Sequence, residues 1–166
     1  MQSSPDRNAP AVTPAQHHID DLQTLKTKFV SLARAFGRDQ MNWRPMEGVR
    51  SVHEVVALMV AEVHLFPTIW GAAPPEASES GWEPEMARTE ALSPDAAIEQ
   101  MEAGFDHMIA SVESLDAASR AATVDWFGTP MQAEAALSAA LFDMHEHLGQ
   151  LIAYARMNRV VPPWSR

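Results

Sequence analysis

Four apolar stripes, each repeating at intervals of three and four residues, constrain this chain more than any other feature. They are Leu22, Leu25, Phe29, Leu32 and Phe36; Val52, Val55, Met59, Val63 and Phe66; Ile98, Met101, Phe105, Met108, Val112 and Leu115; and Leu137, Leu141, Met144, Leu148, Leu151 and Ala155. Such spacing gathers apolar side chains on one face of a helix. Nowhere is the period-two alternation of a half-buried strand sustained. A helix-start signal precedes every stripe. Thr13-Pro14-Ala15-Gln16 and Thr129-Pro130-Met131-Gln132 each offer a capping threonine, a proline at the first helical position and a glutamine that can reach back. Ser51-Val52-His53-Glu54 is a full capping box, and Ser93-Pro94-Asp95 adds an acid at the positive end of the helix. The last stripe stops at Arg156, Asn158 and Arg159, before Pro162-Pro163. These signals predict helices over 14–38, 52–70, 94–116 and 130–157, and hence an all-α four-helix bundle.

The connectors refine the topology. Residues 71–92 form a Gly/Pro/Ser-rich link, long for a turn between bundle helices. A return along a helix of about 28 Å needs roughly nine extended residues. The link can therefore cross over and leave the second and third helices parallel. Shorter connectors near 39–50 and 117–129 suit antiparallel neighbours. Trp43, Trp82 and Trp126 fall in connectors and are expected to cover the bundle ends rather than bind a ligand.

Composition removes several functional classes. With no cysteine, disulfides and thiolate metal sites are excluded. A net charge of −10 argues against a nucleic-acid surface, and no run approaches the roughly 18 apolar residues of a membrane span. Residues 1–12 are polar, lack the apolar core of a signal peptide and read as a disordered tail before one domain over 13–166. A cytoplasmic protein is expected. There is also no Gly-rich phosphate loop and no nucleophile elbow.

In a helical bundle, metal and cofactor sites are built from polar side chains that point inward. Helical phase puts Glu62 near the centre of the second helix's apolar face, beside Val55, Met59 and Phe66. A carboxylate there needs a cation, a metal or a proton. Asp143 and His147 stand four apart on one flank of the fourth stripe, and Gln150 and Tyr154 extend that edge. An i, i+4 carboxylate–imidazole pair can place two ligands on one ion, and it is equally the spacing of a plain hydrogen bond. His145 lies on the opposite flank. His17, His18, His53, His64 and His107 fall off the stripes and are expected in solvent. The Ala-rich start of the fourth helix (Ala133, Ala135, Ala136, Ala139, Ala140) leaves small residues beyond the main stripe, and a homodimer is expected there.

Two blocks resemble the DinB/YfiT-like superfamily. NWRPMEGVRSVHEVVALMVAE at 42–62 carries the family's W-R-P, R-S-V and Glu pattern at the entry to the second helix. HEHLGQLIAYARMNRVVPPWS at 145–165 is similar to its last helix and tail, with H-x-G-Q and a closing Pro-Pro. The resemblance implies an up-down-down-up bundle holding a divalent metal, nickel or zinc, on three histidines. It also implies kinship with thiol-dependent S-transferases and isomerases and with proteins regarded as metal-dependent hydrolases. Carried onto this chain, the first ligand position falls on Leu58, the second on Asp143 and the third on His147. Glu62, one turn beyond Leu58, is the residue that helical phase offers in its place. The expected site is thus Glu62, Asp143 and His147, harder in ligand character than three imidazoles. The alternative is a chain without the metal, acting as a small-molecule-binding or interaction module.

Overall fold

The computed structural model describes residues 14–165. The tail expected over 1–12 and the capping Thr13 lie outside the described residues. Four long helices follow the four stripes: α1 (Pro14–Ala35), α2 (Val52–Ile69), α4 (Pro94–Glu113) and α6 (Ala133–Met157). Two short helices, α3 (Trp82–Glu90) and α5 (Ala117–Ala121), and a hairpin of β1 (Thr123–Trp126) and β2 (Thr129–Gln132) fill the connectors.

Local chemistry sets the boundaries. At the head of α2 the Ser51 hydroxyl accepts from the Glu54 N–H at 3.2 Å, and the Glu54 carboxylate accepts from the Ser51 N–H at 2.6 Å. This reciprocal pair satisfies two donors that a helix start leaves open. Ser93 caps α4 in the same manner through the Ala96 N–H, with Pro94 in the first turn.

The expected helix start at Thr129-Pro130 is not one. Thr129 and Pro130 lie in β2, and α6 begins at Ala133 after Gln132, whose side chain makes no capping bond. Thr123, Val124, Asp125 and Trp126 pair with Gln132, Met131, Pro130 and Thr129, leaving Phe127-Gly128 as a two-residue turn. Half-buried Val124 and Trp126 alternate with exposed Thr123 and Asp125. Four residues per strand are too few for that alternation to stand out in the sequence. Pro130 is tolerated because a two-stranded ribbon is all edge.

Cross-helix contacts fix the direction of each helix. Lys26, Arg34 and Arg38 pair with Asp106, Glu102 and Asp95, so α1 runs antiparallel to α4. His18 meets Glu134, and Gln40 meets Asn158, so α1 and α6 are parallel. Glu62 meets His147, and the Tyr154 hydroxyl donates to the Arg50 carbonyl, so α2 opposes α6. Val63 and His64 pass beside Gly104, and Trp70 reaches Ser111, so α2 and α4 are parallel. The order is up-down-down-up, made by the crossover at 71–92.

All four stripes are buried apart from Leu115, which packs at the edge of the core. Fully burying a side chain such as Phe29, Phe105 or Leu137 contributes about 1.5–3 kcal/mol before ordering costs. α2 is buried nearly all round. Its length and mean hydropathy of 1.4 would suit a membrane span, but α4, α6 and α3 enclose it. Ala133, Ala136 and Ala140 are buried within this chain, so those small residues serve α6's packing on its own bundle. Only Ala135 and the half-buried Ala139 of that stretch remain toward the outside.

The crossover is tied down by a second buried glutamate. Glu85 on α3, fully buried, accepts from the Arg88 guanidinium with both oxygens, at 2.7 and 2.8 Å. It also takes the Glu79 N–H at 2.7 Å and lies 2.8 Å from His64 Nδ1. Burial opposes its charge, yet Arg88, the Glu79 N–H and His64 outweigh burial and hold its pKa below the usual carboxylate range.

The α2–α4 crossing depends on Gly104. A Cβ there would run into Val63 Cγ2 and sit 2.9 Å from His64 Cδ2. Gly104→Ala gains up to about 1 kcal/mol of helix propensity. Overpacking against a stiff β-branched side chain costs about 1–3 kcal/mol. Overpacking should win, because neither Val63 nor His64 has free space to move into. The variant should melt about 2–8 °C lower than the parent in a thermal denaturation scan.

Candidate metal centre

The three residues that the sequence nominates meet. Glu62 projects from the middle of α2, and Asp143 and His147 stand one turn apart on the facing side of antiparallel α6. Glu62 Oε1 lies 3.1 Å from His147 Nε2, and Asp143 Oδ2 lies 3.7 Å from that same nitrogen. One ligand atom from each residue falls within 4.8 Å of the other two. Glu62 is 1 % exposed, and its Oε2 is buried with no hydrogen-bond partner. An unsatisfied buried carboxylate oxygen is costly, unlike the four-fold satisfied Glu85.

The electrostatics follow from that geometry. Burial pushes Glu62 up to about 7, against the pull of His147. His147 is pushed up to about 10 by the Asp143 and Glu62 carboxylates, which together outweigh its own burial. Asp143 is held below its ordinary value, chiefly by His147. At neutral pH the imidazole is a cation between two acids.

The donor set suits a divalent ion. A tetrahedral ion with bonds of about 2.1 Å sets its ligand atoms about 3.4 Å apart. The observed 3.1 and 3.7 Å bracket that spacing. Two carboxylate oxygens and one imidazole nitrogen form a mixed set open to zinc and nickel.

The triad lines one wall of a cavity of about 520 Å³. Leu58, 3 % exposed, also lines it, one turn before Glu62. Above stand Phe66, Trp82, Trp126 and Phe127, with Phe142 of α6 and Arg50 at the rim. Trp126 and Phe127 meet edge to face at 5.0 Å, Trp126 meets Phe66 at 5.2 Å, and Trp82 meets Phe127 at 6.1 Å. Trp82 and Trp126 therefore line the cavity as well as packing on Phe66. Trp43 packs on Tyr154 at 5.4 Å, as an end cover should. Tyr154 accepts from Gln150 at 2.8 Å and donates to the Arg50 carbonyl at 3.0 Å, so that edge of α6 anchors the entry to α2.

The turn presenting Phe127 is strained. Phe127 has φ 49° and Gly128 φ 85°, as a two-residue hairpin with a type I′ turn requires. Asn or Gly favours the first position; a bulky side chain there costs of order 1–3 kcal/mol. The phenylalanine was the signal available in the sequence, since it stands where a polar turn residue is the norm.

Other histidines depart from expectation. His64, expected in solvent, is 3 % exposed beneath α3 and bound to Glu85. His18 is half-buried, 3.2 Å from Glu134 and 3.1 Å from Ser138 across the α1–α6 contact. His53 is half-buried and lies 3.2 Å from the Glu90 carbonyl, and His107 is half-buried with its Nε2 enclosed. Only His17 of the five is exposed as expected; His145 is exposed too, away from the triad. Helical phase within one element could not reveal cover supplied by another.

No curated protein matches the sequence. Solved structures share the fold. YfiT from Bacillus subtilis, described as a probable metal-dependent hydrolase with an unusual four-helix bundle topology, superposes with a TM-score of 0.69 at 14% identity, over 96% of this chain and 95% of that one. A DinB-like protein from Bacillus cereus gives 0.72 at 12%, over 88% and 93%. A mycothiol-dependent maleylpyruvate isomerase gives 0.62 at 13%; the match covers 84% of this chain but only 61% of the isomerase. The DinB superfamily model matches residues 21–151, most of the bundle and all three residues of the triad. The chain belongs to the DinB superfamily.

Proposed function

We propose that this protein is a metal-dependent enzyme acting on a small molecule by hydrolysis or group transfer, with Glu62, Asp143 and His147 holding a divalent ion, zinc or nickel. The observation that carries the reading is the buried Glu62 Oε2, an acceptor with no partner at the point where three ligand atoms converge. The fold shared with YfiT, itself described as a probable metal-dependent hydrolase, supports it as analogy. When bound, such an ion supplies Lewis acidity toward a carbonyl or a water. The chain's own part is to hold two carboxylates and one imidazole in place on rigid helices. It also excludes water from the Glu62 side and leaves the ligand side open to the cavity.

A second reading has its own observation. His147, raised to about 10, is a cation that already partners both acids. In that case the imidazolium takes the place of the metal, and the cavity belongs to a binding module.

Titration of untagged protein separates the two. The metal reading requires about one equivalent of zinc or nickel, and Glu62→Gln should weaken binding at least tenfold, about 1.4 kcal/mol. Absence of binding by either ion would leave the second reading.

The pH profile gives a further check. Metal binding must displace the His147 proton, so apparent affinity should climb about tenfold per pH unit between 7 and 9. An unperturbed histidine would instead level off above about 6.5. In metal-free protein both raised values mean that the folded state holds more protons than the unfolded one. The Glu62 contribution to stability should therefore be lost as pH rises from 4.5 to about 7. That of His147 should be lost from 6.5 to about 10. Asp143 acts oppositely, its contribution vanishing as pH falls below 3.8. Chemical denaturation across this range measures the slope.

Leu58→His places an imidazole on the cavity wall one turn from Glu62. Zinc or nickel affinity should rise in calorimetric titration, and adding Asp143→His should raise it again. A loss of stability with no gain in affinity would mean that position 58 only fills the core.

A further inference from the structure

The aromatic wall above the triad carries more information than a hydrophobic cap requires. Three observations converge on the hairpin tip. Phe127 occupies a positive-φ turn position, at φ 49°, where asparagine would be conformationally cheap. It is 64% exposed, yet its ring stands edge to face against Trp126 and Trp82 on the cavity side. Across the mouth, Phe142 on α6 is 73% exposed, one residue from Asp143. A chain covering its core would bury these rings. Here two large apolar side chains from separate elements are left open to solvent around one opening. The cavity beneath, of about 520 Å³, has the volume of a small-molecule site, and its polar lining is the triad together with Arg50 and Glu146.

We propose that the ligand of this site is a small amphiphile, with a flat apolar body, aromatic or of similar breadth, held among Phe127, Trp126, Trp82 and Phe142 and a polar head directed at Glu62, Asp143 and His147. The placement of the head rests on the metal reading; the apolar body does not. Flatness follows from the wall itself, since edge-to-face rings at 5–6 Å offer faces on which a planar group stacks. Phe127 is the specificity residue. It is the ring that the backbone is strained to present, and a shorter polar side chain at the tip would leave the hairpin intact while removing that wall.

The test uses two probes and a variant that relieves the strain. Phe127→Asn should keep or raise the melting temperature, because asparagine accepts positive φ, so a loss of binding cannot be charged to unfolding. In metal-free protein, 2-naphthol should bind and quench tryptophan fluorescence. Phe127→Asn should weaken that binding at least fivefold, and Trp126→Ala should do so as well. In zinc-loaded protein, 2-naphthohydroxamate should bind at least tenfold tighter than acetohydroxamate. Phe127→Asn should collapse that ratio while leaving zinc affinity unchanged. Failure to bind zinc alongside Phe127-dependent naphthol binding would overturn the metal reading and leave the apolar subsite standing. Zinc bound with no preference for the aryl probe, and naphthol binding indifferent to Phe127, would overturn this inference. A marked fall in the melting temperature of Phe127→Asn would also overturn it, because the ring would then be a structural cover.

Discussion

Everything in this bundle depends on α2 being buried on nearly every side. A helix with water on one face can turn its polar residues outward. α2 has no such face through its middle, so each polar side chain there must find its partner within the protein. It carries two, Glu62 and His64, two residues apart and hence pointing in different directions. His64 meets Glu85, which Arg88 and a backbone N–H also satisfy, and the result is a closed polar knot joining the crossover to the bundle. Glu62 meets His147 through Oε1 with Asp143 alongside, and its Oε2 has no hydrogen-bond partner. The same burial thus yields a finished structural contact on one side of the helix and an unfinished one on the other. Unfinished polar burial is where a ligand is expected.

Topology decides which residues can complete Glu62. The up-down-down-up order makes α2 parallel to α4 and antiparallel to α6. The middle of α2 therefore faces the stretch of α6 carrying Asp143 and His147. The i, i+4 spacing on α6 turns both side chains toward one point on α2. The crossover that creates this order also brings Trp82 over the site at the start of α3. The hairpin before α6 brings Trp126 and Phe127 to the same place. The two connectors that shape the topology also build the walls of the cavity.

Much of this was legible in the residues, and the exceptions share a cause. The stripes gave the four long helices because their period is local and sustained. Ser51 and Ser93 gave two helix starts because capping is a contact between neighbours. Glu62 was found because its phase conflicts with its charge, and Asp143 and His147 by phase and by family resemblance together. His64 was missed: its position on the wheel is polar, and the cover comes from α3, some twenty residues further along the chain. The hairpin was missed because β1 and β2 are too short for a period, while Thr129-Pro130 imitates a helix cap. Trp82 and Trp126 were placed in connectors correctly, but that they line a cavity beside the triad was not legible, since what a connector faces is a tertiary fact. Local pattern reveals what a residue needs; only the fold shows what it receives.

Most of the chain agrees with its local rules: capped starts, apolar stripes, and a buried Glu85 with every acceptor in use. Some departures, such as the enclosed His107 Nε2 and the positive φ of Arg159, are not part of the cavity lining; two others meet at the cavity, the half-partnered Glu62 carboxylate and the positive φ of Phe127. They lie on separate elements and arise from unrelated physics, one electrostatic and one torsional. Nothing in bundle packing requires them to be neighbours. Both nonetheless line the same cavity, one at its enclosed wall and one at its mouth. A protein tolerates such costs where surrounding structure enforces them, and two independent costs at one place imply a shared purpose. Packing alone would favour an apolar residue at 62 and asparagine at 127. A site that must hold something polar at its wall and something apolar at its mouth accounts for both departures at once.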